Sequence, residues 1–143
     1  MKTPFAGGCL CGAVRYECAA EPMISGFCHC RNCQKLSGSA FATALAVPSE
    51  ALKIRGKVTY YETKADSGNM TKNGFCPTCG SRVFGGSTGM PGMTVVFAGS
   101  LDDPSALHPG MHVYTASAQP WDKIGADLPR FPGMPEMPEA AKA

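Results

Sequence analysis

A tight turn is predicted at Cys76-Pro77-Thr78-Cys79-Gly80, where two residues separate a pair of cysteines and a glycine follows them. This is the form of a zinc knuckle, in which backbone N–H groups point at the first sulfur atom. Gly80 suits its position because glycine enters the left-handed backbone conformation at little cost. A knuckle supplies two ligands, and a closed tetrahedral zinc site needs four. The other ligands must therefore come from elsewhere in the chain.

Five more of the eight cysteines lie in two further clusters, Cys9-Leu10-Cys11 and Cys28-His29-Cys30-Arg31-Asn32-Cys33. The seven clustered sulfur atoms divide into four and three. A structural zinc site uses four protein ligands, whereas a reactive site uses three and keeps one position open. The count therefore predicts one zinc ion of each kind.

The pair Cys9 and Cys11 is predicted to complete the structural site with Cys76 and Cys79. Glycines flank the pair on both sides, so the backbone can bend around an ion. A metal held in this way joins residue 9 to residue 79 across most of the chain. Its binding free energy would contribute directly to folding.

The remaining cluster leaves Cys28, Cys30 and Cys33 as ligands of the reactive site, with the fourth position filled from elsewhere or by solvent. His29 lies between two of them, and in an extended segment it would point to the opposite side. We therefore expect His29 to orient the site or to be structural, and not to bind the ion. Cys18 stands alone after a predicted strand and is expected to be a small buried residue.

The cysteines also allow other interpretations. An even number of cysteines can form a disulfide framework in a small secreted domain, but the first eight residues contain no apolar run typical of a signal peptide. Cysteines one or two residues apart are typical of metal sites, whereas disulfides more often join distant loops. Redox-active thiols are a third interpretation, and an iron–sulfur cluster is the alternative metal. We favour zinc.

Composition predicts a single domain over residues 1–131 of the 143, followed by a flexible tail at 132–143. No segment approaches the roughly 18 apolar residues of a membrane helix, so no membrane partner is expected. Together with the missing signal sequence, this predicts a cytoplasmic protein. The formal net charge of +2 would fall by about three with seven thiolates and two zinc ions included. Because there is also no lysine and arginine run, we expect no nucleic-acid partner.

Short alternating segments, broken by 17 glycines and 12 prolines, predict a mainly β fold of small antiparallel sheets with little helix. Gly56-Lys57 is interpreted as the turn of a hairpin between 52–55 and 58–61. Asn73-Gly74 is interpreted as a turn and 85–92 as a flexible loop. The other predicted strands are 13–17, 41–47, 93–97 and 111–115, and the predicted helix is 32–36.

The cysteines stand in longer motifs that carry a family resemblance. These motifs are Gly7-Gly8-Cys9-Leu10-Cys11-Gly12-Ala13-Val14-Arg15-Tyr16, Phe27-Cys28-His29-Cys30-Arg31-Asn32-Cys33-Gln34-Lys35-Leu36-Ser37-Gly38, Phe75-Cys76-Pro77-Thr78-Cys79-Gly80-Ser81, His112-Val113-Tyr114-Thr115-Ala116-Ser117-Ala118-Gln119-Pro120-Trp121-Asp122 and Asp127-Leu128-Pro129-Arg130-Phe131. In order and spacing they resemble the glutathione-dependent formaldehyde-activating enzyme family, which includes the CENP-V-like proteins. The likeness covers residues 7–133.

The resemblance implies a β-tent fold with two zinc ions per chain. It implies that one ion is structural and the other reactive, and that the ligands of the reactive ion are the catalytic residues. The implied ligands are Cys9, Cys11, Cys76 and Cys79 for the structural ion and Cys28, Cys30 and Cys33 for the reactive ion. The implied activity is that of S-(hydroxymethyl)glutathione synthase, a carbon–sulfur lyase that reversibly adds glutathione to formaldehyde. The partners would be a small-molecule thiol such as glutathione and an aldehyde.

A zinc ion with three thiolates suits this reaction. Its formal charge of about −1 makes it a weak, soft Lewis acid that favours a sulfur ligand. It would therefore stabilise the thiolate of glutathione, which is mostly protonated at pH 7 when free. Binding of the aldehyde or hydroxymethyl oxygen to the ion is the alternative.

Glutathione also carries two carboxylates, which need cationic partners. Arg31 and Lys35 lie beside the reactive cluster and are the candidate substrate-binding residues. His108 and His112 could shuttle protons, although histidines at the end of a strand are more often structural. Trp121 is expected to cap the core.

Zinc motifs specify a scaffold more than a substrate, so two other functions stay open. The chain could be a zinc enzyme of another reaction type. It could also be a zinc-stabilised binding module without catalysis, which measured turnover would distinguish from an enzyme.

Overall fold

The structure is a computed structural model that describes residues 1–136. The described chain contains ten β-strands, one α-helix and four short 3-10 turns. This confirms the prediction of a mainly β fold with little helix. The predicted helix at 32–36 is present as α1 (Arg31–Ser37).

The strands are numbered in chain order. They are β1 (Phe5–Gly8), β2 (Arg15–Cys18), β3 (Ile24–Cys28), β4 (Ala42–Pro48), β5 (Leu52–Arg55), β6 (Thr59–Lys64), β7 (Met70–Phe75), β8 (Arg82–Ser87), β9 (Met93–Phe97) and β10 (His112–Val113). The 3-10 turns are Ser49–Ala51, Ala98–Ser100, Pro104–Ala106 and Thr115–Ser117. Three of the predicted strands, at 13–17, 41–47 and 93–97, correspond to β2, β4 and β9.

The strands form two sheets. Three strands pair in the order β1-β2-β5, and seven pair in the order β10-β3-β4-β9-β8-β7-β6. Every pair is antiparallel except β10 with β3, which is parallel. The three-stranded sheet lies against one face of the larger sheet, and the second face is left for a cavity.

Strand β4 shows how the sequence separates these two faces. Leu45 and Val47 are buried in the core, with 1% and 0% of their surface exposed. Because side chains alternate along a strand, Ala44 and Ala46 point the other way. Burying Leu45 and Val47 stabilises the fold by about 1.5–3 kcal/mol each.

The core lies between the two sheets and joins them through aromatic contacts. Tyr16 of β2 meets Phe84 of β8 edge to face, with 5.4 Å between ring centroids. The hydroxyl of Tyr16 also hydrogen-bonds to Ser100 Oγ at 2.8 Å. Burial raises the pKa of Tyr16 to about 12, so the phenol stays neutral and keeps this bond.

The hairpin predicted around Gly56-Lys57 is wrong. Strand β5 pairs with β2 in the small sheet, whereas β6 pairs with β7 in the large sheet. Gly56 has a φ of 94°, and a Cβ there would lie 2.0 Å from the carbonyl oxygen of Ala13. The glycine therefore serves a close approach between backbones and a change of sheet, which a local turn signal does not distinguish from a hairpin.

Two further local signals are also overridden by strand pairing. Asn73-Gly74 lies within β7, between β6 and β8, and not in a turn. The loop predicted at 85–92 begins inside β8, where Gly85 pairs with Val95. Neighbouring strands on both sides supply hydrogen bonds that outweigh the turn preference of these residues.

The chain after β9 also departs from prediction. The strand expected at 111–115 is reduced to β10, because Tyr114 adopts a left-handed conformation with φ 56°. Trp121 does not cap the core, since 64% of its surface is exposed. Of the predicted tail, residues 137–143 lie outside the described residues, and Gly133 accepts a hydrogen bond from the Tyr114 N–H at 3.1 Å. No helix within residues 1–136 is long and apolar enough to cross a membrane.

The Tyr16–Phe84 contact predicts the effect of a core substitution. Phe84→Ala should lower the free energy of unfolding by about 3–5 kcal/mol, because it removes a side chain only 1% exposed and leaves a cavity. Urea denaturation followed by circular dichroism, at constant free zinc, measures this change. Tyr61→Ala is the control, since Tyr61 is 59% exposed and should shift the midpoint little. Equal shifts for the two variants would contradict this description of the core.

Candidate metal centres and the adjoining cavity

The four-cysteine cluster joins the two sheets. Cys9 and Cys11 lie between β1 and β2, and Cys76 and Cys79 lie between β7 and β8. Their four sulfur atoms lie within 4.8 Å of one another. The Cys11 sulfur is 3.7 Å from that of Cys9 and 3.8 Å from that of Cys76. Ligands at the corners of a tetrahedron with zinc–sulfur bonds of 2.3 Å are about 3.8 Å apart, so the cluster fits a metal ion.

The knuckle turn places its sulfurs as the sequence predicts. Gly80 is left-handed, with φ 78°, and its N–H donates to the carbonyl of Cys76 at 2.8 Å. Ser81 closes the turn, because its carbonyl accepts from the Cys76 N–H at 3.0 Å. The hydroxyl and backbone N–H of Ser81 also lower the pKa of Cys79 to about 5. A thiolate at Cys79 is thus favoured at neutral pH, which suits metal binding.

The three-cysteine cluster is built where β3 runs into α1. Cys28 ends β3, Cys30 is the N-cap residue of the helix, and Cys33 lies in its first turn. Their sulfur atoms also lie within 4.8 Å of one another. The N–H of Cys33 donates to the Cys30 sulfur at 3.3 Å. Among residues 1–136 these are the two groups of three or more ligand side chains that could hold a metal ion.

Hydrogen bonds within this cluster favour a thiolate at one position. The Cys28 and Cys33 side chains and backbone N–H groups hold the pKa of Cys30 well below its usual value. The pKa of Cys28 is raised, first by its interaction with Cys30. A thiolate at Cys30 therefore places negative charge in the cluster, which a bound cation would stabilise. None of the eight cysteines forms a disulfide.

His29 lies behind the cluster and faces away from the cavity. Its Nδ1–H donates to Asp122 Oδ2 at 2.6 Å, and its Nε2 hydrogen-bonds to His112 Nδ1 at 2.9 Å. The His29 ring is fully buried. The Gln34 side chain also donates to the His29 carbonyl at 2.7 Å. These bonds fix the backbone between Cys28 and Cys30, so both sulfurs point to the opposite side.

The remaining candidates from the sequence are placed differently. His112 belongs to the buried network of His29, whereas His108 is exposed. Cys18 is fully buried and lies outside both clusters. Arg31 lines the cavity and donates to Gln34 Oε1, whereas Lys35 is exposed on α1 and does not line it.

The structure adds Arg82, which the sequence analysis missed. Its Nη2 lies 3.9 Å from the Cys33 sulfur and donates to Asn73 Oδ1 at 2.6 Å. The guanidinium also lies over the ring of Phe97, 3.7 Å from the centroid. Its Nη1 is buried without a hydrogen-bond partner in the described structure. The position of a cation three residues after Cys79 is the signal that could have identified it.

A cavity of about 370 Å³ opens beside the three-cysteine cluster. Its floor is the second face of the seven-stranded sheet, including Ala44, Ala46 and Val95. Tyr114, whose left-handed backbone makes it unusual, lines it near Cys28. Burial raises the pKa of the Tyr114 phenol. Tyr114 therefore keeps its proton at neutral pH and can donate a hydrogen bond.

Comparisons with known proteins find the same family that the cysteine motifs resemble. The model of the glutathione-dependent formaldehyde-activating enzyme family matches residues 4–117. A crystal structure of a protein from Rhodobacter sphaeroides is similar, with 25% sequence identity and a TM-score of 0.56. That match covers 73% of this chain and 91% of the other. A comparison with curated proteins gives no significant match.

The contact of Arg82 with Cys33 predicts a role in metal affinity. Arg82→Met keeps an unbranched side chain but removes the positive charge, so thiolates at the cluster lose a stabilising partner. We expect affinity for a thiophilic ion at this cluster to fall by about 10–100-fold. Titration with Co²⁺, followed by its thiolate charge-transfer absorption, measures the change. Arg55→Met is the matched control because Arg55 is exposed on β5. Unchanged affinity in Arg82→Met would contradict this role.

Proposed function

The chain belongs to the glutathione-dependent formaldehyde-activating enzyme family, and from this premise we propose that it is a zinc-dependent enzyme acting on a glutathione–aldehyde adduct. The proposed reaction is that of a carbon–sulfur lyase similar to S-(hydroxymethyl)glutathione synthase. The observation that carries the proposal is the position of the three-cysteine cluster at a cavity, whereas the four-cysteine cluster does not line it.

The reaction is an addition that runs in both directions. The thiol sulfur forms a bond to the carbonyl carbon, the C=O double bond becomes a C–O single bond, and the thiol proton ends on that oxygen. Breakage of the carbon–sulfur bond returns the thiol and the aldehyde. No oxidant or reductant is needed.

The two clusters have separate proposed roles. Cys9, Cys11, Cys76 and Cys79 would hold a structural zinc ion that connects the sheets. Cys28, Cys30 and Cys33 would hold the reactive ion. When bound there, zinc supplies a soft Lewis acid with an open position that favours a thiolate over a thiol.

The other side chains of the proposed site neutralise the sulfurs and position the adduct. Arg82 offsets negative charge on the sulfurs, because its guanidinium lies 3.9 Å from Cys33. Tyr114 can donate its phenolic hydrogen to the oxygen of the adduct. Arg31 stands at the cavity as a cation for a glutathione carboxylate. Lys35 is the second proposed cation, although it lies outside the cavity lining.

A reducing compartment suits this function. All eight cysteines are free, and the proposed site works only while its sulfurs stay reduced. We therefore propose a cytoplasmic location, where glutathione is abundant and thiols are kept reduced.

Metal content tests the assignment of the two clusters. We expect two zinc ions per purified chain by elemental analysis and one in Cys30→Ser, because that change removes a ligand from the reactive site alone. Cys18→Ala is the matched control and should keep both ions, since Cys18 lies outside the clusters. One ion in the native protein, with Cys28, Cys30 and Cys33 all open to alkylation, would refute the reactive site.

Turnover tests the proposed reaction. With glutathione and formaldehyde in excess, exchange NMR should show faster interconversion of adduct and free reactants with the protein than without it. Orientation of two small reactants in one site supplies much of this acceleration. Cys30→Ser should return the rate to the uncatalysed value, whereas Cys18→Ala should keep the native rate. Glutathione binding without any acceleration would instead indicate a binding module.

A further inference from the structure

The cavity beside the three-cysteine cluster runs along the sheet away from Cys28. Successive residues of β3 point to opposite faces of the sheet, so Cys28, Gly26 and Ile24 share one face and follow one another along the cavity floor. Ile24 lies about 13 Å from Cys28 at the usual rise of a strand. On β4, Ala44 pairs with Gly26 and Ala46 pairs with Ile24. The floor is therefore a slot with the cluster at one end.

Small residues keep this slot open. A Cβ at position 26 would lie 2.8 Å from the carbonyl oxygen of Met111, so only glycine fits there. Gly85 pairs with Val95, and a Cβ on it would press on the Phe97 ring at 3.3 Å. Glycine at 26 and 85 and alanine at 44 thus keep three floor positions small, whereas Val95 and Phe97 of β9 are larger side chains on the same face.

The surface inside the slot is mostly hydrocarbon. Its apolar lining includes Ile24, Leu36, Met90, Val95, Met111 and Val113. The charged lining residues are Arg31, Asp66 and Arg82. Both arginines already have side-chain partners, Gln34 for Arg31 and Asn73 for Arg82. Both cations lie at the cluster end of the slot, because Arg31 follows Cys30 and Arg82 lies 3.9 Å from the Cys33 sulfur. The described lining towards Ile24 offers a charged ligand no cationic partner.

This surface matches neither formaldehyde nor the peptide part of glutathione. In the formaldehyde adduct the reacting carbon carries two hydrogen atoms besides its oxygen and sulfur, so most of the 370 Å³ would have no apolar partner. Beyond the cluster end of the slot, the two carboxylates of glutathione would lose hydration without a cationic partner. A hydrocarbon chain on the reacting carbon would bind favourably to the same surface, because its apolar atoms are removed from water.

We propose that the preferred substrates are adducts of aldehydes bearing an apolar chain of several carbons, with the chain lying in the slot. The proposal rests on the proposed function, whose bond changes are the same for any aldehyde. The thiol sulfur bonds to the carbonyl carbon at the cluster, and the thiol proton ends on the oxygen. The glutathione peptide lies towards Arg31.

Chain length tests this substrate class. Unbranched aldehydes from propanal to heptanal have similar intrinsic reactivity, so their kcat/KM values with glutathione can be compared by exchange NMR after subtraction of the uncatalysed rate. We expect kcat/KM to rise about fourfold for each added methylene group until the slot is full. Formaldehyde is measured in parallel as the test of the proposed function itself.

The outcomes separate the two proposals. Turnover of formaldehyde with kcat/KM constant or falling from propanal onwards would overturn the apolar substrate class and leave the proposed function standing. Absence of turnover with every aldehyde would overturn both. A rise with chain length supports both.

Variants of the floor give a second test. Ala44→Leu should reduce the ratio of heptanal to propanal kcat/KM, because its side chain occupies the slot. Val95→Ala should have the opposite effect and move the optimum to longer chains. Ala19→Leu makes the same chemical change as Ala44→Leu at an exposed position outside the cavity lining and should keep the native ratio. Unchanged ratios in both floor variants would overturn the proposal.

Discussion

Four sulfur atoms connect the two sheets at the edge of the core. Cys9 and Cys11 follow β1 of the small sheet, and Cys76 and Cys79 follow β7 of the large sheet. The apolar core holds the sheets together but is not directional, so it does not by itself determine where their loops meet. The sulfur atoms of these loops lie 3.7 and 3.8 Å apart, which is the separation expected for ligands of one ion. The rest of the fold depends on that constraint, because it joins residues 65 or more positions apart.

The three-cysteine cluster differs from the four-cysteine cluster because it lines the cavity. Cys28, Cys30 and Cys33 are brought together by a strand end and a helix start, which is local geometry. On one side the buried His29 network holds the backbone, and on the other side the cavity begins. Two groups of cysteines that could each hold a metal ion thus lie in different surroundings, one at the edge of the core and one at a cavity. The chemistry available to each is set by what surrounds the sulfurs.

The seven-stranded sheet packs one face in the core and forms the floor of the cavity with the opposite face. On β4, Leu45 and Val47 fill the core, while Ala44 and Ala46 form the floor of the cavity. Strand alternation therefore lets the cavity face change with little effect on the core. A family fold can in this way keep its metal sites while its substrate range varies.

The sequence by itself determined the mainly β class, a helix at 32–36 and the division of seven cysteines into four and three. These features depend on neighbouring residues or on sulfur chemistry. Tertiary structure decided that β5 and β6 lie in different sheets, because strand pairing depends on distant partners and not on the turn at Gly56. It also placed Arg82 beside Cys33 and assembled the slot, since register across separate strands determines which side chains share a face.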